Sequence, residues 1–164
     1  MTVVVALTTQ SGSYMGADSI SVDDEGLYTI SATPKVKQIG DLLVGFAGSW
    51  RGGYLAMKSL ERLANPSVEQ FVNQYPNDEK GWSLLIIEKG KIYEIDDDKS
   101  VTEIKGDKDG AYGAIGSGTA IALGALFTDH IDKSSVGNAL KATQAHFANV
   151  REPFVVLETG FFSE

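Results

Sequence analysis

The fold of this chain is decided by the stretch TVVVALTTQSGSYMGADS, residues 2–19. Its first part, Val3–Leu7, is an unbroken apolar run rich in β-branched valine, which predicts a strand that is buried on both faces. A polar turn at Gln10–Gly12 leads to a second apolar segment, Tyr14–Ala17. Two strand-like segments joined by a short turn predict a hairpin. The chain therefore opens with a hairpin whose first strand lies inside the molecule.

The composition excludes several classes of protein. The chain has 164 residues, which predicts a single domain over residues 1–164. It carries 22 acidic residues against 14 Lys and Arg, a formal charge of -8. Such an acidic balance argues against a protein that tracks nucleic-acid phosphates. The absence of Cys from the sequence excludes disulfides, thiolate zinc sites and cysteine nucleophiles.

The amino-terminal segment MTVVVALTTQ has no basic region, and its apolar run is too short for a signal peptide. No window of the sequence reaches the roughly 18 consecutive apolar residues that a membrane span needs. We therefore expect a soluble protein of the cytoplasm, with neither a membrane nor a nucleic acid as its partner.

The first helix is predicted from Ser49 to Ala64, with Ser49 as its N-cap. Pro66 is predicted to be the first residue of a second helix that runs to Tyr75. Apolar residues recur in the first helix at steps of three and four, which predicts that they form its buried face. These residues are Trp50, Tyr54, Met57, Leu60 and Leu63.

The order of the predicted elements indicates the architecture. Strands come first, then the two helices, then more strands. Two further helices and a last strand follow, at Thr119–Ile131, Ser134–Val150 and Pro153–Glu158. Blocks of strands that alternate with pairs of helices predict an α+β fold, a four-layer αββα sandwich in which helices cover the outer faces of two stacked sheets.

Taken one at a time, the polar candidates indicate little. Thr2 is simply a second residue, and Asp18 at the end of an apolar strand is more typical of a turn or cap than of catalysis. Lys35 alternates with apolar residues, as on a solvated strand face. Gly45–Gly48 before a helix favours tight packing. Gly116–Gly118 could cradle an anion, but it lacks the lysine of a phosphate-binding loop.

The two histidines do not indicate a metal site. His130 lies between Asp129 and Asp132, but the three residues spread around a helix end, so capping is favoured over metal binding. His146 has apolar neighbours in its helix, which favours a packing role. We expect neither a metal nor a cofactor.

Five motifs in a fixed order nevertheless form a pattern. They are Thr2 before the apolar strand, Met15–Ser19, Pro34–Ile39, Gly45–Ser49 and Ala114–Gly118. Together they resemble the proteasome β-subunit family of N-terminal-nucleophile hydrolases, and they are most similar to its bacterial branch, the HslV peptidase. The resemblance implies an αββα sandwich and a threonine-type endopeptidase.

The resemblance also implies roles for five residues. Thr2 matches the nucleophile of the family. Asp18 and Lys35 match its buried acid–lysine pair. Gly48 matches the residue whose backbone N–H binds the oxyanion, and Ser117 matches the serine that hydrogen-bonds near the amine of the nucleophile.

The residue types suit this chemistry. A threonine hydroxyl is a weak nucleophile that needs a nearby base. The α-amine of Thr2 can serve, because an unperturbed α-amine has a pKa of about 7.7–8.0 and a nearby Lys35 ammonium lowers it further. While Met1 is attached, the Thr2 nitrogen is an amide and cannot act as a base. Activity is therefore expected only after Met1 has been removed, which a small second residue permits.

Two departures from the family pattern stand in the sequence. Proteasome β-subunits support the nucleophile with an Asp after the last helix pair, whereas no Asp follows Asp132 here, and Asn149 is the one candidate replacement. Ile20 stands where proteasome subunits commonly have Arg, which argues against a standard eukaryotic-type subunit.

The substrate pocket is assigned by analogy alone. The residues near positions that line the first specificity pocket of the family are Ser21, Thr33, Phe46 and Trp50. The two aromatic residues would make this pocket apolar and shallow. Core packing under the first helix is an equally good interpretation of the same aromatic residues.

The resemblance implies a homo-oligomeric ring, a peptide or unfolded protein as substrate, and an AAA+ ATPase unfoldase as a possible partner. The apolar Phe161–Phe162 is compatible with a subunit contact. Two alternatives stay open: a non-catalytic scaffold subunit of the same fold, and an N-terminal-nucleophile amidase that acts on a small molecule.

Overall fold

The computed structural model describes residues 2–76 and 79–160 of the chain. Within these ranges the helices are α1 (Trp50–Glu61), α2 (Val68–Gln74), α3 (Thr119–Thr128) and α4 (Ser135–His146). The strands are β1 (Val3–Thr9), β2 (Gly12–Ala17), β3 (Ile20–Val22), β4 (Tyr28–Ile30), β5 (Val36–Ile39), β6 (Leu42–Gly48), β7 (Trp82–Glu88), β8 (Lys91–Asp96), β9 (Val101–Ile104), β10 (Ala111–Gly116) and β11 (Val155–Thr159).

Two antiparallel sheets form the middle of the molecule. The first sheet has the order β10-β1-β2-β11, and the second has the order β5-β6-β7-β8-β9. The strands β3 and β4 pair with each other in a separate ribbon, which the sequence pattern did not predict. The opening hairpin is confirmed, with Leu7 opposite Tyr14.

Three apolar layers hold the elements together. The layer between the sheets includes Val4 and Ala6, whereas Val3 and Val5 face α3 and α4 on the other side of the first sheet. This alternation explains why β1 is apolar on both faces. The third layer joins the second sheet to α1 and α2. The order of layers is helix, sheet, sheet, helix, so the predicted αββα sandwich is confirmed.

The buried face of α1 differs from the predicted one at its amino end. Trp50 and Tyr54 are each 36% exposed, whereas Gly53 and Ala56 are buried. A Cβ atom at Gly53 would collide with the Phe46 ring, so the glycine lets the helix backbone lie directly on β6. Glycine has no apolar side chain, and hydrophobic periodicity therefore misses this contact. The remainder of the predicted stripe is buried, apart from the partly buried Leu63.

The helix starts are set by serine caps. The Ser49 hydroxyl accepts the Gly52 N–H at 3.2 Å, which confirms the predicted cap of α1. The prediction that Pro66 begins the second helix is wrong, because Ser67 is the N-cap of α2 and its hydroxyl accepts the Gln70 N–H at 3.1 Å. Among the described helices, none combines the length and apolar character that crossing a bilayer requires.

Candidate active site

Thr2 lies directly before β1, where the ends of β1 and β10 meet. Its backbone N–H donates to the Ser117 Oγ at 3.3 Å. The Ser117 hydroxyl in turn donates to the Thr2 carbonyl oxygen, also at 3.3 Å. The Gly118 N–H also points to that carbonyl, at 3.4 Å. Ser117 thus contacts Thr2 from the loop that joins β10 to α3.

Gly116 makes this contact possible. Its φ angle is +99°, in the left-handed region that favours glycine. A Cβ atom at this position would overlap the Thr2 carbonyl oxygen. Gly116 belongs to the motif Ala114–Gly118, but sequence reasoning predicted no role for it in the contact with Thr2. The glycine that directly precedes Ser117 was the available signal.

Asp18 fixes the backbone beside Thr2. It directly follows β2, and the pairing of Val4 with Ala17 brings it next to Val3. One carboxylate oxygen accepts the Val3 N–H at 3.1 Å, and the other accepts the Ile20 N–H at 3.3 Å. Only 1% of Asp18 is exposed. Its role as a turn or cap residue and its predicted role in the site are therefore compatible.

Lys35 is buried against Asp18. Its Nζ donates to the Asp18 carboxylate at 2.9 Å and also to the Ile20 carbonyl oxygen. Only 2% of the residue is exposed, so the alternative of a solvated strand face is wrong for Lys35. Burial lowers the pKa of the Lys35 ammonium, and the negative charge of Asp18 and its hydrogen bond oppose this shift.

The end of β6 approaches Thr2 from the second sheet. The Ala47 Cβ is 3.4 Å from the position that a Cβ on Gly116 would occupy. Gly48 follows with a φ of +88°, and a Cβ there would collide with the Gly81 carbonyl oxygen. The last residues of β6 are therefore held close to the start of β1.

The Gly48 N–H is directed to the β5 side of β6. The Phe46 N–H donates to the Lys35 carbonyl at 3.0 Å, whereas the Ser49 N–H donates to the Gly81 carbonyl at 2.7 Å on the opposite side. Because successive N–H groups alternate along a strand, the Gly48 N–H lies on the same side as that of Phe46. β5 begins only at Val36, so Gly48 extends past its start.

The four pocket candidates have different surroundings. Phe46 is 2% exposed and belongs to the core between β6 and α1, as the core-packing interpretation expected. The Trp50 ring meets the Phe46 ring edge-on, with centroids 5.3 Å apart. Ser21 is half-buried in β3, and Thr33 is exposed. Thr33 lines a cavity of about 80 Å³ together with its neighbour Pro34, with Lys37 of β5 and with four residues of α1: Tyr54, Met57, Lys58 and Glu61.

The remaining candidates lie away from Thr2 in the chain. His146, predicted to pack in the core, is exposed at the last position of α4. Asn149 lies in the turn that follows α4 and is half-buried. Within the described ranges, no group of three or more His, Asp and Glu side chains could hold a metal ion, the surroundings of His130 included.

Comparison with known proteins identifies the fold. No protein-family model matches the sequence, and no curated protein matches it. Solved structures of proteasome-like peptidases nevertheless match nearly the whole chain, so the fold is the αββα sandwich of N-terminal-nucleophile hydrolases.

The matching structures include two structures of one bacterial protein and one structure of a eukaryotic protein. Thiobacillus denitrificans BPH in complex with epoxomicin is 17% identical, has a TM-score of 0.78 and covers 98% of this chain and 100% of its own. A second structure of T. denitrificans BPH, also 17% identical, has a TM-score of 0.77 over 99% and 100%. Eukaryotic HslV from Trypanosoma brucei is 21% identical, with a TM-score of 0.76 over 96% and 99%.

Proposed function

We propose that this chain is a threonine-type endopeptidase of the HslV kind, with Thr2 as its nucleophile after Met1 has been removed. One observation carries the proposal. The buried Asp18–Lys35 pair is bonded to the backbone at Val3, next to Thr2, and the Ser117 hydroxyl lies 3.3 Å from the Thr2 nitrogen. A buried ion pair is a weak source of stability, so its position beside Thr2 favours a chemical role.

The first step forms an ester on Thr2. The α-amine of Thr2 takes the proton of its own hydroxyl while Oγ1 attacks the peptide carbonyl carbon. The Gly48 N–H stabilises the oxyanion of the tetrahedral intermediate, a contribution of about 3–4 kcal/mol for comparable donors. The C–N bond then breaks, and the ammonium of Thr2 returns the proton to the leaving amine.

The second step releases the acyl group. The amine of Thr2 takes a proton from water, whose oxygen attacks the ester carbonyl, and the C–Oγ1 bond breaks with return of the proton to Oγ1. Lys35 keeps the amine of Thr2 unprotonated through its positive charge, and Asp18 holds Lys35 in place. Ser117 orients the amine through the hydrogen bond to the Thr2 nitrogen.

We extend the proposal to the setting of the enzyme. Its substrate is a peptide or an unfolded protein, bound near Ser21, Thr33, Phe46 and Trp50. The single domain over residues 1–164 works in the cytoplasm, in a homo-oligomeric ring that an AAA+ ATPase supplies with substrate. Epoxomicin, which is bound in a BPH structure of the same fold, is expected to bind this chain. The predicted contact through Phe161–Phe162 lies outside the described residues.

A non-catalytic scaffold subunit is the second candidate. The observation that favours it is the absence of any Asp after Asp132 in the sequence, because that is where proteasome subunits hold a supporting carboxylate. In a scaffold either Met1 stays attached or the residues that support the nucleophile fail, whereas the peptidase requires the removal of Met1.

The test combines intact mass with peptide hydrolysis. The intact mass of native protein is first measured to establish that Met1 is absent. Its hydrolysis of a fluorogenic peptide is then measured. Thr2→Ala is expected to abolish hydrolysis, while Thr2→Ser, which keeps a hydroxyl, is expected to retain part of it. Unchanged activity in Thr2→Ala, or quantitative retention of Met1 in the native host, contradicts the proposal. A monomer in sizing chromatography that cleaves only small amides supports the amidase instead.

A further inference from the structure

β10 is an edge strand whose outer side is a groove. Among the described strands, only β1 pairs with β10. The other edge of β10 lines a groove of about 420 Å³ that runs from Tyr112 to Gly116. In an edge strand, every second residue directs its N–H and C=O groups away from the sheet. This groove therefore offers backbone hydrogen bonds to an extended peptide, the arrangement by which peptides add a strand to a sheet.

The opposite walls of the groove come from the second sheet and from α3. Ser83 of β7, Glu94 of β8 and Ile104 of β9 form one wall, and Thr119 and Leu123 of α3 form the other. The mixture of backbone, apolar and carboxylate surfaces suits a peptide better than an apolar ligand.

The groove is continuous with the surroundings of Thr2. Gly116, at its end, contacts the Thr2 carbonyl oxygen and lies close to Ala47. The end of the groove at Gly116 therefore lies next to Thr2. From Ala47 the second sheet continues across β7 to β8, because Ala47 is opposite Ser83 and Ser83 is opposite Asp96.

The distance from Ala47 to Glu94 follows from the register of the second sheet. Two strand spacings of about 4.8 Å and two residues of about 3.4 Å separate Glu94 from Ala47, on the order of 12 Å in all. An extended peptide advances about 3.3–3.6 Å per residue. A side chain that meets Glu94 therefore belongs to a residue about three to four positions from the bond that Thr2 attacks.

The Glu94 carboxylate has no partner of its own. In the part of the chain that the structure describes, it makes no hydrogen bond or ion pair, whereas the neighbouring Asp96 accepts the Ser83 hydroxyl at 2.7 Å. Burial and the nearby charge of Asp96 raise the pKa of the Glu94 carboxyl above its ordinary value. Both effects destabilise the lone carboxylate, and a cation bound in the groove would relieve both.

We propose that the groove along the free edge of β10 binds an extended segment of the peptide substrate, and that Glu94 selects a Lys or Arg side chain in that segment. The inference rests on the proposed function, because it uses Thr2 as the point of attack. It names a substrate class for that site: peptides with a basic residue three to four positions from the cleaved bond.

The test scans the position of one lysine along a peptide. A set of internally quenched peptides carries Lys at one position at a time on either side of the cleaved bond, with Gln at the others. For the protein without Met1, kcat/KM is expected to rise roughly five- to tenfold when Lys stands three or four positions from the bond on one side. Glu94→Gln is expected to remove this preference, so that kcat/KM no longer depends on where the lysine stands.

A matched control is Glu103→Gln. Glu103 is exposed on the neighbouring β9, is 3.5 Å from the Lys91 Nζ and does not line the groove. Glu103→Gln removes the same charge as Glu94→Gln, and the variant is expected to keep the lysine preference. Glu94→Lys should replace the preference for Lys by one for Glu at the same position.

The outcomes separate the two proposals. Hydrolysis that depends on Thr2 but shows the same lysine profile in Glu94→Gln overturns the role of Glu94 and leaves the peptidase intact. If no variant hydrolyses any peptide, the proposed function fails. The groove is then tested by binding alone. Fluorescence anisotropy measures the affinity of the labelled Lys and all-Gln peptides for Thr2→Ala, with and without Glu94→Gln. Equal affinity for both peptides overturns the inference. The same result is expected if a second copy of the chain covers the groove, so that outcome also overturns it.

Discussion

Lys35 and Lys37 lie two positions apart in the sequence but differ completely in their surroundings. Lys35 is buried against Asp18, which is equally buried and accepts the N–H of Val3, the residue after Thr2. The Lys37 side chain is 46% exposed, and its partner Glu61 on α1 also accepts a hydrogen bond from Lys58 at 2.9 Å. One region is a buried polar site, and the other is a charged surface.

The difference teaches how to distinguish a functional ion pair from an incidental one. An exposed pair contributes about 0–1 kcal/mol, because water and salt screen it. A buried pair recovers at best the large cost of desolvating both charges, yet losing one partner strands the other charge in the interior. Removing one partner of the surface pair is therefore expected to change the free energy of unfolding little, whereas removing one partner of the buried Asp18–Lys35 pair is expected to lower it strongly.

The largest effect is expected from Lys35→Met. The substitution leaves the Asp18 carboxylate buried without its cation, so the free energy of unfolding should fall by about 3–5 kcal/mol. Urea denaturation of Met1-free protein measures this loss. A loss below about 1 kcal/mol would show that water reaches Asp18 and would remove the contrast with Lys37.

The double variant Asp18→Asn/Lys35→Met sharpens this result. It removes both charges, so part of the lost stability should return, with a coupling of about 1–3 kcal/mol between the two sites. Peptide hydrolysis should stay absent in the double variant. Recovered hydrolysis would mean that the pair serves the fold rather than the reaction.

A second prediction concerns the backbone of the buried site. Gly116→Ala introduces a Cβ that overlaps the Thr2 carbonyl at a φ of +99°, so stability should fall by about 1–3 kcal/mol. Gly124→Ala, in α3 with open space around it, is the matched change and should stabilise by about 0.5–1 kcal/mol. Denaturation midpoints measure both. Equal effects would contradict the close packing at Gly116.

A third prediction follows from the pKa of Lys35. Burial lowers it from its usual value of 10.5, so between the lowered value and 10.5 the unfolded chain binds more protons at this residue than the folded chain. The Lys35 contribution to the free energy of unfolding therefore increases with pH in this window, by at most about 1.4 kcal/mol per pH unit. Denaturation curves measured at pH values directly below 10.5 should show this slope in the native sequence and not in Lys35→Met.

The smallest effect is expected from Lys37→Met. Because the Lys37–Glu61 pair is exposed, the free energy of unfolding should change by less than about 1 kcal/mol, and the change should shrink as salt is added. Denaturation at low and high salt measures it. A change as large as that of Lys35→Met would break the distinction between the two regions.

The sequence was sufficient for the architecture, because hydrophobic patterns are local. Val3–Leu7 had to be buried on both faces, and the structure places a sheet on one side and helices on the other. The face of α1 was partly wrong for an equally local reason, since Gly53 contacts Phe46 without any apolar side chain.

The site was less accessible to sequence reasoning. Asp18 and Lys35 are 17 residues apart, and nothing in the pattern around either residue shows that they meet. Only the resemblance to a known family suggested the pair. Glu94 was not predicted at all, because its groove exists only where β8 of one sheet lies near the free edge of β10 in the other.

The central position of β1 has a practical consequence for handling the protein. A purification tag fused ahead of Thr2 would be attached to its nitrogen, which lies 3.3 Å from the Ser117 hydroxyl, and would keep that nitrogen an amide. β11 lies at the outer edge of the first sheet. Recombinant protein intended for assays or screening is therefore better labelled after that strand, with its first residues left free.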